Sequence, residues 1–377
     1  MSIRNNNLGS IVKPGFNALG AQTSVTTYTY ELWSWGSNNF GKLGLNNTTY
    51  YSSPKQVGAL TTWSAVAGGS NTTLATKTDG TLWAWGYNAY GNLGLGNTTY
   101  YSSPKQVGAL TAWLNVACGY SHSIATKTGG TLWSWGRNNA GQLGLGNTTD
   151  YSSPKQVGAL TTWSAIACGL SSTIATKTDG TLWTWGAGSQ GILGIGNTTY
   201  YSSPKQVGAL TTWAKIAMSS HVLAVKTDGT LWSWGFNTSG QLGIGNLTAY
   251  SSPKQVGALT TWLIVACGNY HSIATKTDGA LWSWGKNNFG QLGLNNTSNY
   301  SSPVQVGALT TWSKVAAGTQ FTAAIKTDGT FWSWGSNASG KLGLGNTTNY
   351  SSPKQVGALT TWAIVATGTN HTLALKY

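Results

Sequence analysis

The pattern W-x-W-G occurs seven times, beginning at Trp33, Trp83, Trp133, Trp183, Trp232, Trp282 and Trp332. Five of the intervals are 50 residues and one is 49. Each copy is followed by G-x-L-G, then Y-S-S-P, then Q-V-G-A-L-T, and then one more Trp. Three Trp in each of seven repeats account for all 21 in the chain. Strict periodicity at this length restricts the chain to a repeat architecture, in which each unit buries its faces only against its neighbours. The short interval loses its residue near Met218–His221.

Each repeat reads as four short strands. "KQVGAL" is the first and "WSAVA" the second, ending in a Gly-containing turn. "SIATK" is the third, closed by T-D-G, and "TLWSWG" is the fourth. Asp-Gly is a strong hairpin signal because Gly takes positive φ at low cost. Four strands per unit of roughly 40–50 residues predict a β-propeller, and seven units predict seven blades. The expected fold is therefore all-β, a seven-bladed propeller over residues 29–377, with residues 1–28 as an extended N-terminal arm. The chain opens on a W-x-W-G strand and closes on "HTLALKY". Strands from both termini are thus expected to share one blade, three from the C-terminal end and one from the N-terminal end. Burying each Trp removes about 150–250 Å² from water, about 4–6 kcal/mol before entropy costs, so the Trp set is assigned to packing.

Composition narrows the function. Only 7% of residues are charged, and the net charge of +14 comes from 7 acids set against 21 Lys and Arg. The excess is a shortage of acids, and no run of like charge forms a basic arm or tail. No apolar stretch reaches the ~18 residues of a membrane-spanning helix, and the N-terminus lacks the apolar core of a signal peptide. Three cysteines form no even disulfide set and no zinc ribbon.

Units such as "VACGNYHSIATKTDGALWSWGKNNFGQLGL" (Val265–Leu294) resemble the regulator of chromosome condensation repeat family. The shared signature is V-A-x-G-x-x-H, then D-G-x-x-x-x-W-G, then N-x-x-G-Q-L-G, from Glu31 to Tyr377. The resemblance implies a seven-bladed propeller. It does not imply one activity, because the family includes an exchange factor for the small GTPase Ran, a plant ultraviolet-B photoreceptor, a β-lactamase inhibitor, and phage and bacterial members. The wedge insertion and basic tail of the exchange factor have no counterpart in the uniform spacing here. The photoreceptor's G-W-R-H-T pattern is absent as well. The near-identical repeats look most like the phage and bacterial members.

Seven repeats supply an internal alignment. Two segments vary: the stretch after W-x-W-G ("SNNFGK", "YNAYGN", "RNNAGQ" and so on) and the turn between the second and third strands ("GGSNTT", "CGYSHS", "CGNYHS"). Strand direction places both on one rim, opposite T-D-G and the chain ends. Recognition commonly resides in loops on a rigid scaffold. Candidate binding residues on this variable rim are Phe40, Tyr87, Tyr90, Tyr120, His122, Arg137, Gln190, Phe236, Asn269, Tyr270, Lys286, Phe289, Gln320 and Phe321.

Catalysis finds little support. Five acids are the turn residues Asp79, Asp179, Asp228, Asp278 and Asp328, one per blade, and are expected to cap their own turns. Glu31 sits at the closure and Asp150 in a linker, so no two carboxylates converge for acid–base work. Cys118 lies four residues before His122, the spacing of a metal or nucleophile pair. Its equivalents are Gly68, Cys168, Met218, Cys267, Ala317 and Thr367, whereas those of His122 are Thr72, Ser172, His221, His271, Phe321 and His371. The two positions vary independently, and equivalent positions around the ring point along separate blades, so Cys118 reads as a packing residue and no metal or cofactor is expected. Two lysine rings, one opening the first strand (Lys55 and equivalents) and one ending the third (Lys77 and equivalents), could attract an anionic polymer such as nucleic acid, lipopolysaccharide or sulfated glycan.

The sequence thus predicts a non-enzymatic recognition propeller, a phage or bacterial surface component at a virion or extracellular surface. Its variable face would meet a protein or glycan receptor, and its N-terminal arm would join a larger assembly. The alternatives are an exchange-factor-like regulator that binds a GTPase or nucleic acid, and an enzyme-inhibitor propeller.

Overall fold

The computed structural model describes residues 29–377. The expected N-terminal arm, residues 1–28, lies outside the described residues. Seven four-stranded antiparallel sheets form a closed seven-bladed propeller. Blade 1 is representative. Its inner strand is Trp63–Gly68, its second Thr72–Lys77, its third Leu82–Gly86 and its outer strand Tyr101–Gln106. Blades 2 to 6 repeat this order over 113–156, 163–206, 213–255, 262–305 and 312–355. Among the described residues no helix is long and apolar enough to cross a membrane.

The blade phase differs from the expectation by one strand. The outer strand is Y-S-S-P-K-Q, and it pairs with the preceding L-W-x-W-G strand (Trp83 opposite Gln106, Ala84 opposite Lys105). "KQVGAL" does not open a blade. The Val107 N–H still bonds back to the Leu82 carbonyl at 2.8 Å, and A-L-T-T then crosses to the next inner strand. Closure accordingly takes two strands from each end. Glu31–Gly36 and Tyr51–Gln56 join Trp362–Thr367 and His371–Lys376 in blade 7. The seam is a full antiparallel ladder from Glu31 opposite Lys376 to Gly36 opposite His371. A Lys376–Glu31 ion pair at 3.2 Å and the Tyr30–Tyr377 ring contact at 5.1 Å lie at its end.

Five blades are closed at one rim by T-D-G; blade 2 has Thr128-Gly129-Gly130 there, and in blade 7 the two ends of the propeller meet instead. The Asp79 carboxylate accepts from the Thr81 N–H (2.9 Å) and hydroxyl (2.7 Å), and Asp179, Asp228 and Asp328 do the same in their blades. These hydrogen bonds hold the Asp carboxyls below their ordinary range.

The core is seven clusters, each between adjacent blades. Leu74, Leu82 and Ala84 of blade 1, for example, pack on Trp113, Ala125 and Trp135 of blade 2. Within a blade the inner-strand Trp meets both W-x-W rings edge-on, as in Trp113–Trp133 (6.0 Å) and Trp113–Trp135 (6.1 Å). The second W-x-W indole reaches across the blade boundary, and the Trp135 N–H donates to the Asn92 carbonyl at 3.1 Å. Gly94 makes room for that ring, since a Cβ there would lie 2.8 Å from the indole nitrogen.

Candidate recognition rim

The two variable segments do meet on one rim, and backbone hydrogen bonds tie them together. The Tyr87 N–H donates to the Asn71 carbonyl (2.8 Å), Arg137 to Ser121 (2.9 Å), Lys286 to Tyr270 (2.8 Å) and Ser336 to Gln320 (2.9 Å). The Asn of the x-N-x-x-G loop, present in six of the seven copies, is a buried pin. In blade 1 the Asn88 side chain accepts from the Leu93 N–H and donates to the Asn97 and Thr99 carbonyls. With the Asn buried, the residues flanking it project outward.

Those flanking residues gather into two aromatic islands. The larger spans blades 7, 1 and 2. Phe40 packs on Tyr87 (5.0 Å between centroids) and Tyr100 (5.4 Å), Tyr87 packs on Tyr100 (4.9 Å) and Tyr90 (6.4 Å), and the Arg137 guanidinium lies 4.7 Å over Tyr90. Tyr120 stands nearby at the mouth of the central channel, 52% exposed. Phe40 is 40% exposed and adopts φ +64°, a left-handed conformation costly for a bulky residue. The smaller island joins Phe236 to Tyr270 (5.7 Å), with the Lys286 ammonium 5.2 Å over Tyr270. Phe289 and Gln320 are half-buried, and Gln190 is exposed. Asn269 lines the channel mouth, where its carbonyl accepts from the Ser220 hydroxyl.

Two expected rim residues belong to the core. His122 and Phe321 are buried. Each ring lies against the glycine three residues earlier, where a Cβ on Gly119 or Gly318 would come within 2.2 or 2.0 Å of it. The His122 Nε2 meets the Thr173 hydroxyl of blade 3 at 3.1 Å, and Thr173 donates its only proton to the Gln142 carbonyl at 2.8 Å. His122 must therefore donate through Nε2–H, leaving Nδ1 as an unprotonated, unpartnered nitrogen. His221, His271 and His371 repeat the latch onto Ser272, Thr322 and Thr73. Burial pushes the His122 imidazole down to about 4 and those of His221 and His271 to about 3, so all three are neutral at pH 7.

Cys118 and His122 face opposite neighbours. The Cys118 thiol points at the Ala67 carbonyl of blade 1 (3.7 Å), while the His122 ring latches blade 3. Cys118, Cys168, Met218 and Cys267 line one mouth of the central channel, a cavity of about 220 Å³. Burial pushes the Cys118 thiol up to about 12 and raises the other two as well, so these thiols stay protonated. Among the described residues, no three His, Cys, Asp or Glu side chains gather as metal ligands would.

Several rim residues escaped the sequence reading. Tyr50 and Tyr100 sit in the stretch read as a linker, yet both are exposed, and Tyr100 completes the larger island. The signal was present: this position is Tyr50, Tyr100 and Tyr200 in three repeats but Asp150, Ala249, Asn299 and Asn349 in the others. Lys42 and Lys341 are buried beneath the loops, with ammoniums donating to Asn71 (2.7 Å) and Asn370 (2.9 Å). Burial brings both down to about 8.

The lysine rings have intramolecular partners. The Lys77 ammonium lies 3.8 Å over Trp83 and 5.2 Å over Trp63, and six equivalents stack likewise. Lys55 and its equivalents are exposed on the outer strands, each over the Tyr that opens its strand.

Comparison with known proteins agrees with this geometry. A family model described as the RCC1-like domain matches residues 161–377, and the Regulator of chromosome condensation (RCC1) repeat matches residues 31–76, 79–126 and 129–176. A second repeat model of the same description matches 63–92 and 113–142. No curated protein matches in sequence. Human WBSCR16 superposes with a TM-score of 0.83 at 22% identity, covering 92% of this chain and 98% of its own. Prp20p from Saccharomyces cerevisiae, described with its binding to Gsp1p and histones, gives 0.83 at 21% identity over 93% and 92%. Yeast RCC1 (Prp20) bound to Kap60 gives 0.83 at 20% over 100% and 96%. At these identities the likeness shows the fold.

Proposed function

Since the chain belongs to the RCC1-like propellers, a fold that hosts unrelated activities, we propose that it is a non-enzymatic recognition propeller that binds a protein partner through its variable rim. The observation that carries this reading is the island of Phe40, Tyr87, Tyr90, Tyr100 and Arg137. Exposed aromatic side chains and Arg are the residue types that dominate protein-binding hot spots. Here they are braced ring against ring on loops pinned by buried Asn, so little side-chain entropy remains to be lost on binding. A residue in strained φ within such a patch, as Phe40 is, is a recurrent mark of functional sites.

The relatives favour a protein over a glycan. Prp20p is described with Gsp1p and histones, and with Kap60. A regulator of the exchange-factor kind, acting on a small GTPase, is therefore the first form of the proposal to test, ahead of a virion or adhesion component. The test measures binding of the full chain to a purified Ran-class GTPase and to histones by calorimetry, with a glycan array as the competing arm. Replacing Phe40, Tyr87 and Tyr100 together by Ala should weaken protein binding at least about tenfold, while Lys155→Ala on the outer wall should leave it unchanged. Binding indifferent to the triple variant, or a response to glycans alone, overturns the proposal.

A further inference from the structure

The T-D-G rim carries a feature independent of the recognition rim. One leucine per blade, from Leu60 in the A-L-T-T segment through its equivalents to Leu359, is between 46% and 52% exposed. These segments lie beside the turns, where the Thr78 N–H donates to the Thr62 carbonyl and the Trp113 N–H to that of Gly80. The result is a ring of seven half-exposed leucines around one face of the propeller. Isolated exposed leucines need no explanation, but a ring of them at equivalent places does.

The same face is close to electrically balanced. Lys77 and its six equivalents share it with five turn aspartates and Glu31, and Lys215 and Lys314 lie on the inner strands beside Lys226 and Lys326, so nine lysines meet six acids and leave +3 of the chain's net +14. Six of the seven acids are therefore on this rim. Elsewhere the surface is nearly all basic: Lys55 and its equivalents belt the outer wall, and Arg137 and Lys286 stand on the recognition rim. Two copies approaching by any other face would repel each other, whereas this one sets a carboxylate beside the ring lysine in six of seven blades, blade 2 having Gly129 in its place.

We propose that two copies of this chain associate face to face through their T-D-G rims, leucine ring against leucine ring, leaving both variable rims free at opposite ends. Seven half-exposed leucines present about 600 Å² per copy, so two facing rings bury about 1,200 Å², the lower end of the range for specific interfaces. A two-fold axis across the propeller axis makes the contact isologous, with the ammoniums of one copy set over the turn carboxylates of the other. A ring of seven equivalent positions is matched throughout only by another such ring. The first 28 residues contain no acid to complement the ring lysines.

Sedimentation equilibrium of the full chain tests this. The expected result is a concentration-dependent species of twice 39.5 kDa. Replacing Leu110, Leu160 and Leu210 together by Asp should weaken association at least about 100-fold without altering circular dichroism or the melting temperature. A second measurement needs no variant. Lysine cross-linking of mixed isotope-labelled and unlabelled chains should join ring lysines such as Lys127 and Lys177 between copies. A monomer at about 200 µM, a dimer that ignores the triple variant, or ring cross-links running only to Lys13 of the same chain overturns the proposal.

Discussion

At the scale of single residues, the histidine position shows how one site serves different blades. His122, His221, His271 and His371 donate across a blade boundary to a hydroxyl whose own proton is committed to a carbonyl. Phe321 fills the same space in blade 6 with no hydrogen bond to give. The histidines also couple stability to pH. Their folded-state values lie below the ordinary 6.5, so between about pH 6.5 and 4 the unfolded chain binds more protons than the folded one. Stability is complete above 6.5 and falls as pH drops through that window. For His122 alone the loss at pH 5 is about 2 kcal/mol. His122→Phe, the choice blade 6 makes, should cost less than about 1.5 kcal/mol at pH 7. It should also flatten the pH dependence between 6.5 and 5 by one proton in urea titrations. An unchanged slope would mean that His122 is already charged in the fold.

At the scale of elements, the long loop between the third and outer strands is pinned by a buried side chain. Asn88 satisfies three backbone groups from a fully buried position. Asn88→Ala leaves those groups unpaired and should cost about 2–4 kcal/mol. Hydrogen exchange should rise in residues 87–100 ahead of the strands. Exchange that rises uniformly would show that the loop has no stability of its own to lose. Blade 3 has Gly188 at the pin position, so its loop is expected to exchange fastest in the wild type.

For the whole molecule, the boundary between blade 7, which carries the seam, and blade 1 is built like the others. Leu373 packs against Trp63 and Trp85 of blade 1, as Leu74 packs against Trp113 and Trp135 of blade 2. Leu373→Ala and Leu74→Ala should therefore cost the same, about 2–5 kcal/mol, each in a single unfolding transition. A smaller cost at Leu373, or a separate early transition, would identify the blade 7–blade 1 boundary as the point where the ring opens.

The repeat was enough to establish seven blades, the Trp core, the self-capped Asp turns and the two rims. All of these follow from periodicity and from the alternation of side chains along strands, which are local properties. The phase of the blade was not legible, because "YSSPKQVGAL" continues in extended conformation beyond the residues that pair. Only the ladder of Trp83 with Gln106 shows which sheet it joins. The rim residues were readable as variable, but not as exposed or buried. His122 and Tyr120 sit two residues apart in one turn, and the neighbouring blade decides that one is latched inside while the other stands in solvent. Tyr100 became part of a surface only when blade 7 brought Phe40 against it. What the sequence determined by itself was the unit and its count. The tertiary structure decided which side chains of one unit meet those of the next, because the contacts that distinguish core from surface here cross blade boundaries.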